Sequence, residues 1–180
     1  FAKIQILDIP GIISGAAAGK GRGKEILSMV RNSDLVLILV DAKHPEHYKK
    51  ILKEVYDANV RLNQQKPDVK IKKKAKDGIS IGTTVKLGIS KRTIKDILKE
   101  LKYNNADVVI RSKIDIDQLI DVIEGNRHYI PALTVITKID AVSEEQRKKL
   151  IKEIKPDLVV SAEKGEGIPE LKEAIFQKLN

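Results

Sequence analysis

The order of apolar and polar positions predicts alternating strands and helices at both ends of the chain. A continuous apolar run at 35–40 is typical of a parallel strand covered on both faces. Apolar side chains at a helical spacing predict a helix at 46–58, and an apolar strand follows much later, at 132–137. The other predicted elements are strands at 1–8 and 158–160, and helices at 24–32, about 144–154 and about 168–179. Strand–helix–strand order implies right-handed crossovers, so we expect an α/β fold with a doubly wound, mostly parallel sheet.

Residues 61–130 have a different pattern. Their first part, 61–77, is polar and basic and contains the run KIKKKAK at 70–76. Further on, the pattern predicts strands at 79–85 and 106–110, and helices at 91–101 and 116–123, with Ser90 as a helix cap. We therefore interpret 61–130 as a small inserted α+β subdomain. The α/β core would then consist of 1–60 and 131–180.

Composition narrows the possible class of protein. The 180 residues are 42% hydrophobic, so the chain can bury a core, and its 3% aromatic content requires that core to be aliphatic. The chain contains no cysteine, which excludes disulfides and thiolate metal sites and fits a reducing cytoplasm. No apolar run approaches 18 residues, so we expect no segment to span a membrane and no membrane partner.

The net charge of +9 is concentrated in the middle of the chain. Residues 61–130 carry 16 basic and 9 acidic side chains, a net charge of +7. This excess indicates either an anionic partner such as RNA or a solvated lysine-rich surface, and the sequence leaves both open. No aromatic residue lies within 70–76, so contact with phosphates is favoured over base stacking.

Polar motifs follow three of the predicted strands. They are DIPG at 8–11, TKID at 137–140 and SAEKG at 161–165. The carboxyl ends of parallel strands meet at one edge of a sheet, where open α/β folds place their ligands. A fourth carboxylate, Asp41, ends the strand at 35–40, and we expect it to end that strand without contacting ligand.

Each motif has a chemical role if the ligand is a guanine nucleotide. The Asp140 carboxylate can accept hydrogen bonds from N1–H and the 2-amino group of guanine, whereas adenine would leave it unpaired. The aliphatic stem of Lys138 can cover the flat face of a base. A backbone N–H of Ser161, Ala162 or Glu163 can donate to guanine O6. At the other motif, Asp8 can hold a water of Mg²⁺, and the N–H of Gly11 can donate to a γ-phosphate.

In this order and spacing, DxPG, (N/T)KxD and SAxxG resemble the GTPases of the translation-factor class. The tract IPGIISGAAAGKGRG at 9–23 closely resembles the Obg branch and, within it, the developmentally regulated GTP-binding protein (DRG) family. Further similar segments are LVLILVDAKHPEHYKKILKEV at 35–55, ISIGTTV at 79–85 and IDVIEGNRHYIPAL at 120–133. The likeness covers nearly the whole chain and implies a P-loop-GTPase-like fold that carries an insert.

The resemblance also implies roles for individual residues. It makes Asp8 a switch residue associated with Mg²⁺ through water, Gly11 the γ-phosphate sensor and 12–23 the second switch. The implied guanine-binding residues are Thr137, Lys138 and Asp140, supported by Ser161, Ala162 and Glu163.

The sequence departs from this family pattern in three places. It contains no GxxxxGK(S/T) motif, and the nearest tract, GAAAGKG at 15–21, is one residue short and lacks the hydroxyl. The resemblance therefore places the phosphate loop and first switch before Phe1, and we expect this chain alone to bind GTP weakly or not at all. Thr137 stands where many GTPases have asparagine, and Ile12 stands where Ras-like proteins have a water-orienting glutamine. We therefore assign no catalytic residue.

Two functional hypotheses follow. The first is a GTP-binding and GTP-hydrolysing switch of the Obg/DRG type. It would use Mg²⁺, act in the cytoplasm around the ribosome or RNA, and have a regulatory protein as a candidate partner. The alternative is a nucleotide-independent RNA- or ribosome-binding module that works through the basic insertion.

Overall fold

Two units divide the chain in the computed structural model, which describes residues 3–9 and 28–180. The first unit comprises Phe1–Gln64 and His128–Asn180, and the second comprises Gln65–Arg127. In chain order, the strands are β1 (Val36–Asp41), β2 (Val60–Leu62), β3 (Val69–Lys73), β4 (Ile79–Thr83), β5 (Ala106–Ile110), β6 (His128–Ile130), β7 (Ala132–Thr137) and β8 (Leu158–Val159). The helices are α1 (His47–Asp57), α2 (Lys91–Glu100), α3 (Ile116–Glu124), α4 (Glu144–Ile154) and α5 (Ile168–Leu179). Residues 28–31 are also helical, and a short 3₁₀ helix spans Ile139–Ala141.

The first unit contains a parallel sheet with strand order β1-β7-β8. Strand β7 is central and is buried from Ala132 to Ile136, as expected for a parallel strand covered on both faces. Leu133 and Val135 pack towards α5, whereas Ile136 packs towards α4 on the opposite face. Helix α1 covers the same face as α4. The predicted doubly wound α/β architecture is therefore confirmed.

The predicted strand at 1–8 is wrong over the residues that the structure describes. Residues 3–9 have no regular secondary structure and pair with none of the described strands. Ile4, Ile6 and Leu7 are exposed, and the exposed fraction of Ile6 reaches 76%. A strand is stable when a neighbour satisfies its backbone groups and covers its apolar side chains, and this segment has neither. Ile9 alone packs against an apolar cluster of the first unit.

Helix starts agree closely with the sequence analysis. The Ser90 side chain accepts a hydrogen bond from the Thr93 N–H at 3.0 Å and begins α2. Ser143 and Gln146 form a capping box that begins α4 where the sequence predicts a helix, with bonds of 3.3 and 3.1 Å. This cap fixes the start of α4 directly after the TKID segment.

The second unit has a three-stranded sheet with strand order β3-β5-β4. Strand β3 is antiparallel to β5, and β4 is parallel to it. One face packs against α2 and α3, where Ile94, Leu98 and Leu119 are fully buried. The interpretation of 61–130 as an inserted subdomain remains a proposal.

The sequence pattern did not predict β2, β3 or β6. Strands β2 and β6 are three residues each and pair with one another in parallel. In β3, Val69 and Ile71 alternate with lysines, but the surrounding basic residues mask that short alternation. A strand of three residues gives too few repeats for a period to be recognised.

Candidate functional site

The carboxyl ends of β1, β7 and β8 bring three polar segments of the first unit together. Asp41 at the end of β1 lies in register with Thr137 at the end of β7. The segment after β8 joins the same edge, because the Val160 N–H donates to the Ile136 carbonyl at 2.8 Å. TKID and SAEKG therefore lie side by side, as expected at the ligand-binding edge of a parallel sheet.

The backbone reverses sharply at Lys138. Its φ of 55° and ψ of 39° lie in the left-handed region, which non-glycine residues rarely adopt. The next residue, Ile139, is 1% exposed, and its N–H donates to the Val160 carbonyl at 3.3 Å. Left-handed backbone costs an L-residue about 1–2 kcal/mol, so burial of Ile139 helps to offset the strain. The short 3₁₀ helix then holds Asp140 at this edge.

Asp140 is held in its ionised form. Hydrogen bonding by the Ser161 side chain is the main cause that lowers the pKa of Asp140, and the charges of Lys164 and Lys43 add to it. Ser161 is fully buried, and its hydroxyl also accepts the Lys164 N–H at 3.1 Å. The hydroxyl can therefore donate to the carboxylate while its lone pairs serve the loop. This arrangement orients a charged, half-buried acceptor.

Lys138 is tied to a residue that the sequence analysis did not assign to the site. Its Nζ donates to Asp41 Oδ2 at 2.7 Å, and the other Asp41 oxygen accepts the Lys43 N–H at 2.9 Å. The bond from Lys138 is the main cause that lowers the pKa of Asp41. Asp41 reaches Lys138 because β1 pairs with β7 in parallel, with Asp41 opposite Thr137. The sequence does not show which strands are neighbours, so this contact could not be predicted from it.

Thr137 uses its hydroxyl within the protein. Its Oγ1 donates to the Val40 carbonyl on β1, with a separation of 3.3 Å. This bond links the ends of the two strands beside the Lys138 turn. In this geometry the hydroxyl stabilises the strand ends, and the predicted role of Thr137 in binding guanine stays a prediction.

The loop at 161–167 is folded tightly by its own backbone and by α4. The Ser161 N–H donates to the Glu166 carbonyl at 3.0 Å, and Glu166 Oε1 accepts from Arg147 Nη2 at 2.7 Å. Gly167 has a φ of 73°, and a Cβ there would lie 2.3 Å from the Val159 carbonyl oxygen. Only glycine fits that position. Arg147 and Gly167 were not assigned to the site from the sequence.

Ala162 and Glu163 lie at the exposed tip of this loop. Within the described part of the chain, their backbone N–H groups donate to no protein acceptor. Two free donors beside an ionised carboxylate form a mixed set of hydrogen-bonding groups. Such a set matches a planar ligand that has both an acceptor and donors on one edge.

The residues predicted to contact phosphate are placed differently. Asp8 is exposed in the irregular segment 3–9. The neighbouring Ile9 packs in a cluster with Val36, the first residue of β1, whereas Asp41 ends that strand. The described geometry therefore does not bring Asp8 to Lys138 and Asp140. Gly11 and the predicted switch at 12–23 lie outside the described residues.

The described residues offer neither a metal-binding cluster nor a membrane-spanning helix. No group of three or more histidine or acidic side chains there could hold a metal ion. No helix in those ranges is both long enough and apolar enough to cross a bilayer.

Two family models match the chain. A family described as "50S ribosome-binding GTPase" matches residues 2–74, and one described as "C-terminal region of MMR_HSR1 domain" matches residues 76–180.

Three similar relatives are a GTP-binding protein of Methanocaldococcus jannaschii, the developmentally-regulated GTP-binding protein 1 of Xenopus laevis and the ribosome-interacting GTPase 1 of Saccharomyces cerevisiae. Their identities to the chain are 49%, 46% and 40%, over 99%, 81% and 99% of its residues. The aligned regions cover 47%, 40% and 49% of these relatives, so the chain spans about half their length or somewhat less. The two family matches together span nearly the whole sequence, and the chain belongs to the DRG family of MMR_HSR1-type GTPases.

Proposed function

We propose that this chain supplies the guanine-recognition half of a GTP-binding and GTP-hydrolysing switch of the DRG type. The observation that supports this proposal most directly is the position of Asp140, directly after β7 and beside the buried Ser161 hydroxyl. An ionised acceptor in this position suits the N1–H and 2-amino donors of guanine, and adenine would leave it unpaired.

The surrounding groups complete a recognition site for the base. The free N–H groups of Ala162 and Glu163 can donate to guanine O6, next to the oxygens of Asp140. The stem of Lys138 can cover one face of the ring, because its Nζ is anchored 2.7 Å from Asp41. Thr137 contributes by holding the ends of β1 and β7 together.

The triphosphate and its Mg²⁺ would be held by other groups. Asp8 and Gly11 remain the proposed contacts of this chain with the metal-bound water and the γ-phosphate. Asp8 lies in an exposed, irregular segment, so its position gives no geometry for a metal site. We assign no group to the hydrolysis step, because Ile12 cannot orient water.

Substitution of Asp140 tests the guanine assignment. In the full-length protein, Asp140→Asn replaces the carboxylate acceptor by an amide that can donate. An amide donor suits xanthine, which has a carbonyl where guanine has the 2-amino group. Loss of two charge-assisted hydrogen bonds should change the GTP:XTP affinity ratio by about 10²–10⁴-fold. The ratio is measured by letting GTP or XTP compete with a labelled guanine nucleotide for the protein. Asp34→Asn makes the same change at an exposed position and should leave the ratio unaltered; an unaltered ratio in Asp140→Asn would refute the assignment.

We also propose that the switch acts in the cytoplasm on the ribosome or another RNA, with a regulatory protein as a further partner. The name of the yeast relative, ribosome-interacting GTPase 1, and the basic charge of residues 61–130 support the RNA part of this proposal.

The second candidate function is nucleotide-independent binding of RNA or the ribosome through residues 61–130. It is favoured by exposed lysines of β3 that have no ion pair among the described residues. Co-sedimentation with ribosomes separates the two functions. A switch should bind differently with a non-hydrolysable GTP analogue and with GDP, whereas a nucleotide-independent module should bind equally with both.

A further inference from the structure

The three-stranded sheet of the second unit has one covered face and one open face. Alternate residues of β5 point to opposite faces, and Ala106, Val108 and Ile110 pack with α2 and α3. The intervening residues, Asp107 and Val109, therefore face away from the helices. The register places Lys70 opposite Val109 and Lys72 opposite Asp107, so both lysines share this open face.

Charge on the open face is unevenly neutralised. Its two carboxylates are already in ion pairs. Asp107 contacts Lys74 Nζ at 2.8 Å, and Asp68 contacts Arg111 Nη1 at 3.5 Å. Hydrogen bonds from Lys74 and Ser80 are the main causes that lower the pKa of Asp107. The remaining charges of this face are those of Lys70 and Lys72, and the Lys72 charge also contributes to lowering the pKa of Asp107.

Lys70 and Lys72 have no ion-pair partner in the described ranges 3–9 and 28–180. Val109, opposite Lys70, carries no charge, and neither does Gly82 on the other side of β5. The acidic residues of α3 belong to the helix side of the sheet, since Leu119 of that helix is in the core. Lys70 and Lys72 therefore leave positive charge on the open face that no ion pair of the sheet neutralises.

The shape of this face suits an extended anionic chain. Ser80 and Gly82 are small and exposed, and a Cβ at Gly82 would meet only the Val108 carbonyl oxygen, at 4.0 Å. Lys70 and Lys72 are two residues apart on one strand, a spacing of about 7 Å. A flat surface with regularly spaced ammonium groups and few acceptors matches phosphates better than base edges.

We propose that the open face of the β3-β5-β4 sheet binds the phosphate backbone of RNA, with Lys70 and Lys72 making the contacts. This inference rests on the proposed association with RNA and assigns a surface to it. Lysines on an edge strand also prevent pairing between sheets, so a test must separate this protective role from phosphate binding.

The test compares two matched pairs of substitutions in the full-length protein. The variant K70Q/K72Q neutralises the open face. The control K95Q/K99Q removes the same charge from exposed positions on α2, which packs on the covered face of the same unit. The probe is a fluorescein-labelled 20-nucleotide oligouridylate, whose binding is followed by anisotropy across a series of salt concentrations. Thermal unfolding confirms that the variants remain folded.

Two lost phosphate contacts should lower the slope of log affinity against log salt by about 1.4 and weaken binding roughly 10–30-fold at about 0.1 M salt. The control should keep the wild-type slope. An equal loss in both pairs, or a wild-type slope in K70Q/K72Q, would overturn the inference. If K70Q/K72Q self-associates but keeps its RNA affinity, the lysines protect the edge. If the wild-type protein binds neither the oligonucleotide nor ribosomes, the proposed RNA association itself fails, whatever the Asp140 test shows.

Discussion

Two strand-end motifs of similar appearance in the sequence behave differently in the structure. TKID follows β7, and its polar groups meet partners from β1 and from the loop after β8. DIPG begins at Asp8, which lies in an exposed segment that pairs with no strand among the described residues. Residue types specify what a motif can bind, but adjacent strands fix where its side chains lie.

The two motifs differ because buried neighbours hold the backbone of TKID in place, whereas residues 3–9 have few such neighbours. Lys138 keeps a strained backbone conformation next to Ile139, which is buried in a core cluster. Residues 3–9 have one partly buried contact, at Ile9, and little else to offset the entropy of ordering them. Substitutions in the two regions should therefore differ in their effects.

The largest expected effect concerns the apolar residues that precede each motif. Ile136 is fully buried in β7, and Ile136→Ala should lower the free energy of unfolding by about 2–5 kcal/mol. Ile6 is 76% exposed, so Ile6→Ser should change it by less than about 0.5 kcal/mol. Chemical denaturation measures both. A cost at Ile6 similar to that at Ile136 would show that the segment is a packed strand.

A smaller effect is expected for two glycines of the loop that supports Asp140. In Gly167→Ala, left-handed backbone and a clash with the Val159 carbonyl should together cost about 2–4 kcal/mol. Gly165 has a similar φ of 70° but open space around it, so Gly165→Ala should cost about 1–2 kcal/mol. Denaturant unfolding of the pair measures the difference. Equal costs would contradict the close approach to Val159.

The smallest effect is expected for the ion pair between Asp41 and Lys138. Asp41→Asn should weaken GTP binding by the full-length protein about 2–5-fold, because exposed ion pairs contribute only about 0.2–1 kcal/mol. Asp57→Asn removes the same charge at an exposed position and should leave the GTP affinity unchanged. Isothermal titration measures both affinities.

A double-substitution cycle shows whether Asp41 acts through Lys138. In a Lys138→Met background, Asp41→Asn should cause no further loss, since the stem that covers the base is then already unanchored. A full additional loss would mean that Asp41 acts independently. The lowered pKa of Asp41 also has a consequence for stability: its contribution is present above the ordinary value of 3.8 and is lost as the pH falls through the lowered one.

Much of the fold could be predicted, because its long elements carry clear periods. Strands β1, β5 and β7 and helix α4 agree with the sequence within a residue or two. Strands β2 and β6 could not be predicted, since three residues give no reliable period, and the basic residues around β3 mask its alternation. The strand at 1–8 was predicted from apolar content alone, and apolar content does not guarantee a pairing partner.

For the candidate site, the sequence by itself determined the residue types and the strands that carry them. Asp140, Lys138 and Ser161 could be recognised by their order and spacing, together with the resemblance to the DRG family. The tertiary structure decided which groups meet. It set Asp41 beside Lys138 across 97 residues of sequence and gave Asp140 its hydroxyl partner. These contacts depend on the order of parallel strands, which crossover connections set over long range and which no local pattern of residues encodes.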